Sequence, residues 1–355
     1  MLRAMGAQRF AIRDIARQAA VSDATVDRVL HDRGGVKAGT AARVRRAIAE
    51  LERHQEAFEL GGRTFTVDLV MHSPHRFSAA VWSAFQDAAP ALRPAAFKLR
   101  PHIHERIEPT AIADILDTIG GDGSHAVILK APDTDEIVDA VGRLGDRGIP
   151  VITIVTDLPT SHRIAYVGID NRAAGSTAAY LIDRWLPSHA GTGTGTDRPT
   201  VLVTVSSHQF RGEEEREIGF RRTARTIAPT WQVIDLAETE GLDDTIAHQI
   251  DGIADSIHVD AVYSIGGGNR AAIETLTRHG QRPRVYLAHD LDRDNRQLLT
   301  SGHISAVLHH DLRTDARRAC HLVMQAHDSI PGRPRTEPET VQIITPYNIP
   351  ANTPT

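Results

Sequence analysis

Gly266-Gly267-Gly268-Asn269-Arg270 is the stretch of this 355-residue chain that would best suit a phosphate cradle, because glycine-rich turns expose backbone N–H groups at a helix start. It lacks the Lys-Ser/Thr of a P-loop, does not follow G-x-G-x-x-G, and has no ribose-binding acid at a clear offset. Nineteen histidines invite a metal reading, yet His102-x-His104 falls on an expected strand, and the neighbours His309 and His310 point apart. Cys320 is the only cysteine, which excludes an intrachain disulfide and a thiolate metal cluster and fits a reducing compartment. No Gly-x-Ser-x-Gly elbow occurs. These patterns argue against an enzyme, a bound cofactor and a metal centre. They leave polar groups that could bind a ligand without reacting with it.

Such groups concentrate where short apolar runs end. The runs are Phe65–Met71, Phe97–Ile103, Ala126–Leu129, Pro150–Val155, Val201–Val205, Trp231–Leu236, Ala261–Ile265 and Val285–Ala288. Segments with helical spacing separate most of them, for example Ile112–Ile119 and Ile137–Leu144. Repeated β-α alternation predicts parallel sheets covered by helices on both faces, and its length predicts two lobes with a cleft between them. In such sheets ligands sit at the carboxyl ends of the strands. The loops there hold His72–Phe77, Lys130–Asp133, Thr156-Asp157, Gly168–Arg172, Ser206–Arg216, Gly266–Arg270, His289-Asp290 and His309–Asp311. Gly191–Thr196, an alternation of Gly and Thr, reads as a surface loop.

The first 53 residues differ in charge from the rest. They carry 11 Lys+Arg against 6 Asp+Glu, whereas the remainder holds 29 against 39, so a basic head sits on an acidic body. That layout suits one small module meeting a polyanion. Apolar residues 12, 15, 16 and 19 share a helical face. Ala20-Val21 then turns the chain, Ser22 is placed to cap a second helix over Asp23–Leu30, and Thr40 to cap a third from Ala41 to about His54. Two short helices joined by a tight turn, with polar residues opening the second, form the geometry that enters a DNA major groove. No apolar run is long enough to span a bilayer or act as a signal peptide, so a cytoplasmic protein without membrane contact is expected.

The run Ile12-Arg-Asp-Ile-Ala-Arg-Gln-Ala-Ala-Val-Ser-Asp-Ala-Thr-Val-Asp-Arg-Val-Leu resembles the headpiece of LacI/GalR-type transcription regulators, over about 45 residues from Ile12 to Glu52. The resemblance implies that Asp23 and Ala24 face base edges, that Ser22 and Thr25 contact phosphate, and that Arg28 adds a base or phosphate contact. Ala20 replaces the usual turn Gly, and Asp27 replaces a common Ser. Two carboxylates near DNA narrow the tolerated sequences, because they accept only from cytosine N4 or adenine N6. Where the family has a hinge helix that wedges an apolar residue into the minor groove, this chain has Glu56–Arg63, with Leu60 or Phe58 as candidate wedge.

Residues from about Thr64 to Ile349 resemble the periplasmic sugar-binding fold that forms the effector domain of those regulators. By that resemblance Arg216 and Asp290 bind sugar hydroxyls, Phe77 stacks on the sugar ring, and His310 takes the place of a frequent Gln. Adjacent hydroxyls can donate to a carboxylate and accept from a guanidinium. Thr156 and Asp157 stand where sugar binders often carry Asp-Arg, and Asn269 closes a Gly-rich run where they often have Asn-Asp.

The expected organisation is a helix-turn-helix head over residues 1–55, a linker over 56–63, and a two-lobed α/β effector and dimerisation domain over 64–350. The expected function is a homodimeric DNA-binding regulator, a repressor by family analogy, acting on a pseudo-palindromic double-stranded operator and controlled by a sugar-like or polyol ligand. The competing expectation is a DNA-binding protein whose second domain serves only dimerisation or protein contact.

Overall fold

The computed structural model describes residues 10–60, 62–186 and 198–350, and of residues 52–60 the backbone alone. The Gly191–Thr196 loop lies outside the described residues.

The head is built from α1 (Ile12–Ala19), α2 (Asp23–Leu30) and α3 (Ala38–Leu60). Ile15, Ala16, Ala19, Val26, Val44 and Ala47 form its core, with Phe10, Ile12, Val21, Val29, Leu30, Ile48 and Leu51 packed around them. Ala20 closes α1 in the left-handed region at φ 50°, which disfavours a residue with a Cβ by roughly 1–2 kcal/mol. Ser22 caps α2, its hydroxyl accepting from the Thr25 N–H at 3.3 Å. The third helix departs from expectation at both ends. It begins at Ala38, ahead of Thr40, and continues beyond His54 to Leu60, so residues 56–60 extend it and do not form a separate linker. The reason is local: no Gly or Pro interrupts Glu52–Leu60, and the first breaker is Gly61-Gly62.

The body has two sheets with closely related topology. The first lobe orders its strands β2-β1-β3-β4-β5, from β1 (Thr64–His72), β2 (Ala96–His104), β3 (Ala126–Lys130), β4 (Val151–Ile154) and β5 (Ala165–Val167). The second orders them β11-β10-β9-β8-β6-β7, from β6 (Thr200–Thr204), β7 (Gln232–Leu236), β8 (Ala261–Ser264), β9 (Val285–His289), β10 (Ala306–His309) and β11 (Gln342–Ile344). The two-lobed α/β architecture is as expected, with one correction: β11 pairs antiparallel to β10, so the second sheet is not wholly parallel. β5, β10 and β11 were not among the expected apolar runs, although the loops after β5 and β10 were read as strand ends.

Helices α4 (His75–Ala88), α5 (Pro109–Ile119) and α6 (Asp135–Asp146) serve the first lobe. Helices α7 (Asn171–Trp185), α8 (Arg211–Ile227), α9 (Asp243–Asp251), α10 (Asn269–Arg278) and α11 (Arg293–Thr300) serve the second. Helix α12 (Leu312–Ala326) follows β10 of the second sheet yet packs in the first lobe, burying Ala316, Ala319, Cys320 and Val323 beside Phe65, Val67 and Phe85. The chain therefore crosses between lobes after β5, after β10 and again before β11. Those three crossings connect the lobes covalently.

Candidate functional site

A cavity of about 340 Å³ opens between the lobes, at the carboxyl ends of both sheets. That volume lies in the range of small-molecule sites. The first lobe contributes His72, Arg76 and Phe77 from the end of β1 and α4, Lys130 from the end of β3, and Val155-Thr156 after β4. From the second come Ser206, Phe210, Glu213 and Arg216 around α8, with Gly266-Gly267 after β8 and His289, Asp290, Asp292 and Asn295 after β9. Each sheet thus presents its topological switch point to the cavity, where diverging loops leave space for a ligand.

Arg216 reaches the cavity because α7 and α8 nearly touch. A Cβ on Gly175 would stand 1.8 Å from the Arg216 carbonyl oxygen, and one on Gly219 would stand 2.0 Å from that of Arg172. This approach sets Arg216, only 3% exposed, against the start of α7, where its Nε donates to Asn171 Oδ1 at 2.8 Å. Asn171 Nδ2 in turn donates to the Tyr166 hydroxyl at 3.0 Å and the Val155 carbonyl at 3.3 Å. The guanidinium is positioned by a residue at the first crossing between the lobes, and Arg216 lines the cavity.

Asp290 ends β9 in the left-handed region at φ 64°, and Val155 across the cleft does the same at φ 69°. Non-glycine residues rarely hold this conformation, and such strain concentrates at functional sites. Asn295 Nδ2 fixes the turn by donating to the carbonyls of His289 at 2.9 Å and Asp290 at 2.8 Å. Behind the carboxylate, His310 Nε2 stands 3.3 Å from Asp290 Oδ1 without hydrogen-bond geometry, and His310 Nδ1 binds Asp315 on α12. Burial opposes ionisation of Asp290, but His310 and Arg216 outweigh it and hold the carboxyl well below the usual range. Burial likewise opposes the charge on His310, and Asp315 with Asp290 overcomes it, raising the imidazole to about 10. Burial depresses His72 to about 4 and His289 well below its ordinary value, so both rings are neutral near pH 7.

Of the expected ligand contacts, Phe77, Thr156, Arg216 and Asp290 lie on the cavity wall. Three others do not, each for a definable reason. Asp157 is turned into its own loop, where Arg163 grips both carboxylate oxygens at 2.5 and 2.6 Å and Thr153 Oγ1 donates at 2.7 Å. Asn269 stands one residue behind the wall, accepting from the Tyr286 hydroxyl at 2.9 Å and donating to Asn295 at 2.7 Å. His310 is buried behind Asp290, as described. Thr156 is committed in part as well, since its hydroxyl accepts from the Gly212 N–H at 2.9 Å and ties the lobes together.

Sequence reasoning placed Lys130, Arg76 and Glu213 in the loops at the strand ends without giving them a role, and missed Asp292 and Asn295. Lys130 had a readable signal, a lysine closing the otherwise apolar strand Ala126–Lys130. Its Nζ donates to the His72 carbonyl at 3.0 Å and sits 4.1 Å above the Phe210 ring centre, and burial lowers its pKa to about 8. Arg76 spans the cleft: Nη2 donates to the Gly241 carbonyl at 2.7 Å and Nε lies 3.4 Å from Asp292. Arg106 makes a second, exposed bridge to Glu240 at 3.0 Å. These contacts join the two lobes across the cleft. Among the described residues no group of three or more His, Cys, Asp or Glu is placed to hold a metal ion, and no helix is long and apolar enough to cross a membrane.

In the head, Ser22, Asp23, Ala24 and Arg28 are exposed along one end and side of α2, and Thr25 is half-buried with its hydroxyl 2.9 Å from that of Ser22. Asp27 is ion-paired to Arg33 at 2.9 Å, with His31 Nδ1 at the same distance from its other oxygen. Its carboxylate is neutralised by the loop after α2, which lessens the expected repulsion of phosphate. The Leu60 and Phe58 side chains lie outside the described residues.

A tight helix-turn-helix head followed by a cleft-bearing pair of α/β lobes defines a class of protein, the DNA-binding regulator with a periplasmic-binding-protein-like body. Residues 11–54 match the family "Bacterial regulatory proteins, lacI family", and residues 69–329 match "Periplasmic binding protein domain". The chain belongs to the LacI/GalR-type regulators, carrying the lacI-family DNA-binding domain joined to the periplasmic binding protein domain. No curated protein matches it. Among solved structures it is similar to the glucose-galactose binding protein GanP from Geobacillus stearothermophilus, with 19% identity, TM-score 0.68, and coverage of 81% of this chain and 99% of that one. A solute binding protein from Burkholderia graminis in complex with D-arabinose gives 17% identity, TM-score 0.72, and coverage of 82% and 99%. A third, from Agrobacterium vitis bound with alpha-D-tagatopyranose, gives 17% identity, TM-score 0.68, and coverage of 81% and 97%. At these identities the likeness establishes the fold.

Proposed function

We propose that this protein is a ligand-controlled transcription regulator whose head binds double-stranded DNA and whose cleft binds a sugar-like or polyol effector. The observation that carries the reading is the joining, in one chain, of an exposed α2 surface to a cleft where the Arg216 guanidinium and the Asp290 carboxylate face the same cavity. The first supplies polar groups to a major groove. The second supplies a fixed donor and a fixed acceptor for neighbouring hydroxyls. The solved relatives bound to D-arabinose and alpha-D-tagatopyranose support a carbohydrate as the ligand class.

In this reading the protein works in the cytoplasm as a homodimer and catalyses no reaction. One head buries too little surface for tight specific binding, and two heads held by paired bodies reach half-sites about 34–36 Å apart, hence a pseudo-palindromic operator. The domain division in this reading is a head over residues 1–55, a connection to residue 63 whose first part prolongs α3, and an effector body over 64–350. Ligand-driven change in lobe closure alters the spacing of the heads. This controls operator affinity only to the extent that ligand prefers one of the two states. The sign is that of a repressor, by family analogy.

Two measurements test this. Fragments of the source genome selected by the protein should share a pseudo-palindrome, and a sugar or polyol that raises the melting temperature should also change affinity for it. Fragment binding without response to any such ligand would favour a body that serves dimerisation alone.

A further inference from the structure

We infer that the effector carries an oxyanion, a carboxylate or a phosphate, held between Lys130 of the first lobe and Arg216 of the second, so that the ligand is an acidic or phosphorylated sugar. This rests on the effector reading above and narrows its ligand class.

Both cations are buried, 7% and 3% exposed, and both line the cavity from opposite lobes. Neither forms an ion pair among the described residues. Lys130 Nζ has one neutral acceptor, the His72 carbonyl, and the face of Phe210. Arg216 has the Asn171 side-chain carbonyl and a long 3.5 Å contact to the Ile265 carbonyl. Buried charges without a counter-charge in contact are costly, and two of like sign facing one cavity also repel.

The carboxylates nearby, Asp290 apart, have partners of their own. Glu213 accepts from the Ser206 N–H at 2.7 Å through one oxygen and from the Ser206 hydroxyl at 2.5 Å through the other. Asp292 caps α11, accepting from the Asn295 N–H at 2.8 Å, and faces Arg76. Asp290 feels the charges of His310 and Arg216 while its Oδ1 accepts no hydrogen bond, so it stays available as an acceptor, and Glu240 pairs with Arg106. Glu213 and Asp290 therefore moderate the field at Lys130 from a distance without contacting it. The rings of His72 and His289 are neutral and add no charge. What remains is a pair of cations with unused N–H donors beside one acceptor, Asp290. A molecule with hydroxyls for Asp290 and an anionic group for Lys130 and Arg216 satisfies both halves, and its oxyanion bridges the two lobes. A guanidinium holds such a group through parallel N–H donors, and an ammonium holds it as a point charge.

The test is a matched ligand panel read by melting temperature and titration calorimetry on the full chain. D-glucuronate and D-galacturonate are paired with glucose and galactose, D-gluconate with sorbitol, and glucose 6-phosphate and ribose 5-phosphate with their parent sugars. The expected result is that at least one anionic member binds about tenfold or more tightly than its neutral partner, the uronate and phosphate arms showing which oxyanion is used. Lys130→Gln should remove that preference and Lys130→Arg should keep it. Equal or tighter binding of the neutral partners overturns the inference and leaves the sugar reading standing. A panel in which nothing binds removes both. The comparison on the parent protein stands even if a Lys130 variant fails to fold.

Discussion

His310 Nε2 stands 3.3 Å from Asp290 Oδ1, and the same ring binds Asp315 through Nδ1. Asp290 belongs to the second lobe and lines the cavity, Asp315 belongs to α12 in the first lobe, and His310 is in the crossing between them. A ligand that draws on the Asp290 carboxylate therefore acts on a charge network whose other end is in the opposite lobe. The buried His310 thus joins a carboxylate of one lobe to a carboxylate of the other.

The network has a pH signature. His310 is raised to about 10 in the folded protein, against about 6.5 in an unfolded chain. A raised basic group contributes stability that is complete below pH about 6.5 and is lost as pH climbs through about 10. The melting-temperature gap between the parent and His310→Gln should therefore narrow from pH 7 to pH 10. Lys130, depressed to about 8, works in the opposite direction but is common to both proteins and cancels in the difference. A constant gap over that range would mean that the folded ring is neutral.

Removing the acceptor at the cavity wall should silence the ligand. Asp290→Ala is expected to weaken effector binding by roughly 1–3 kcal/mol, the usual loss when buried partners are left unpaired. At concentrations that fully switch the parent, the variant should show no change in operator affinity by fluorescence anisotropy. If it and Arg216→Ala both respond as the parent does, the cleft is not the effector site.

The close approach of α7 and α8 makes glycine necessary at two positions. Gly219→Ala would set a Cβ 2.0 Å from the Arg172 carbonyl oxygen, in backbone that cannot swing aside. Overpacking of this kind costs about 1–3 kcal/mol, occasionally more, and separating the helices also withdraws Arg216 from Asn171. Urea unfolding should show the loss, and ligand affinity should fall with it. A variant as stable as the parent would show that the helices part freely.

In the head, Arg28→Ala should weaken specific operator binding by roughly 1–3 kcal/mol with little effect on effector affinity. Arg28 is exposed on α2, in a core-independent position, so folding of the head should survive. An unaltered operator affinity removes Arg28 from the interface.

Binding to DNA should also fall steeply with salt, the logarithm of the affinity dropping by about 0.9 per phosphate neutralised for each tenfold rise in salt. The basic excess of the first 53 residues, 11 Lys+Arg against 6 Asp+Glu, is the source of the effect. A flat salt dependence of the full chain would count against DNA as its partner.

Much of this protein was legible in the order of its residues. The head was readable because its contacts are local: Ile15, Ala16 and Ala19 repeat at helical spacing, and Ser22 caps its own helix within three residues. The β-α alternation was readable for the same reason, as were the strand ends that carry Phe77, Thr156, Arg216 and Asp290 to one cavity. Tertiary structure decided which neighbouring polar groups reach that cavity and which are taken up elsewhere. Asp157 was captured by Arg163 six residues away, Asn269 by Tyr286 and Asn295, and His310 by an aspartate on a helix that had crossed to the other lobe. Lys130 and Arg76 entered the site because the fold brings β3 and α4 against loops more than 70 residues distant in sequence, Phe210 for the one and Gly241 for the other. A side chain's type and spacing determine what it can bind. Which partner it binds depends on what lies within about 3 Å once the chain has folded, and for Arg76 and Lys130 that neighbour comes from far along the chain.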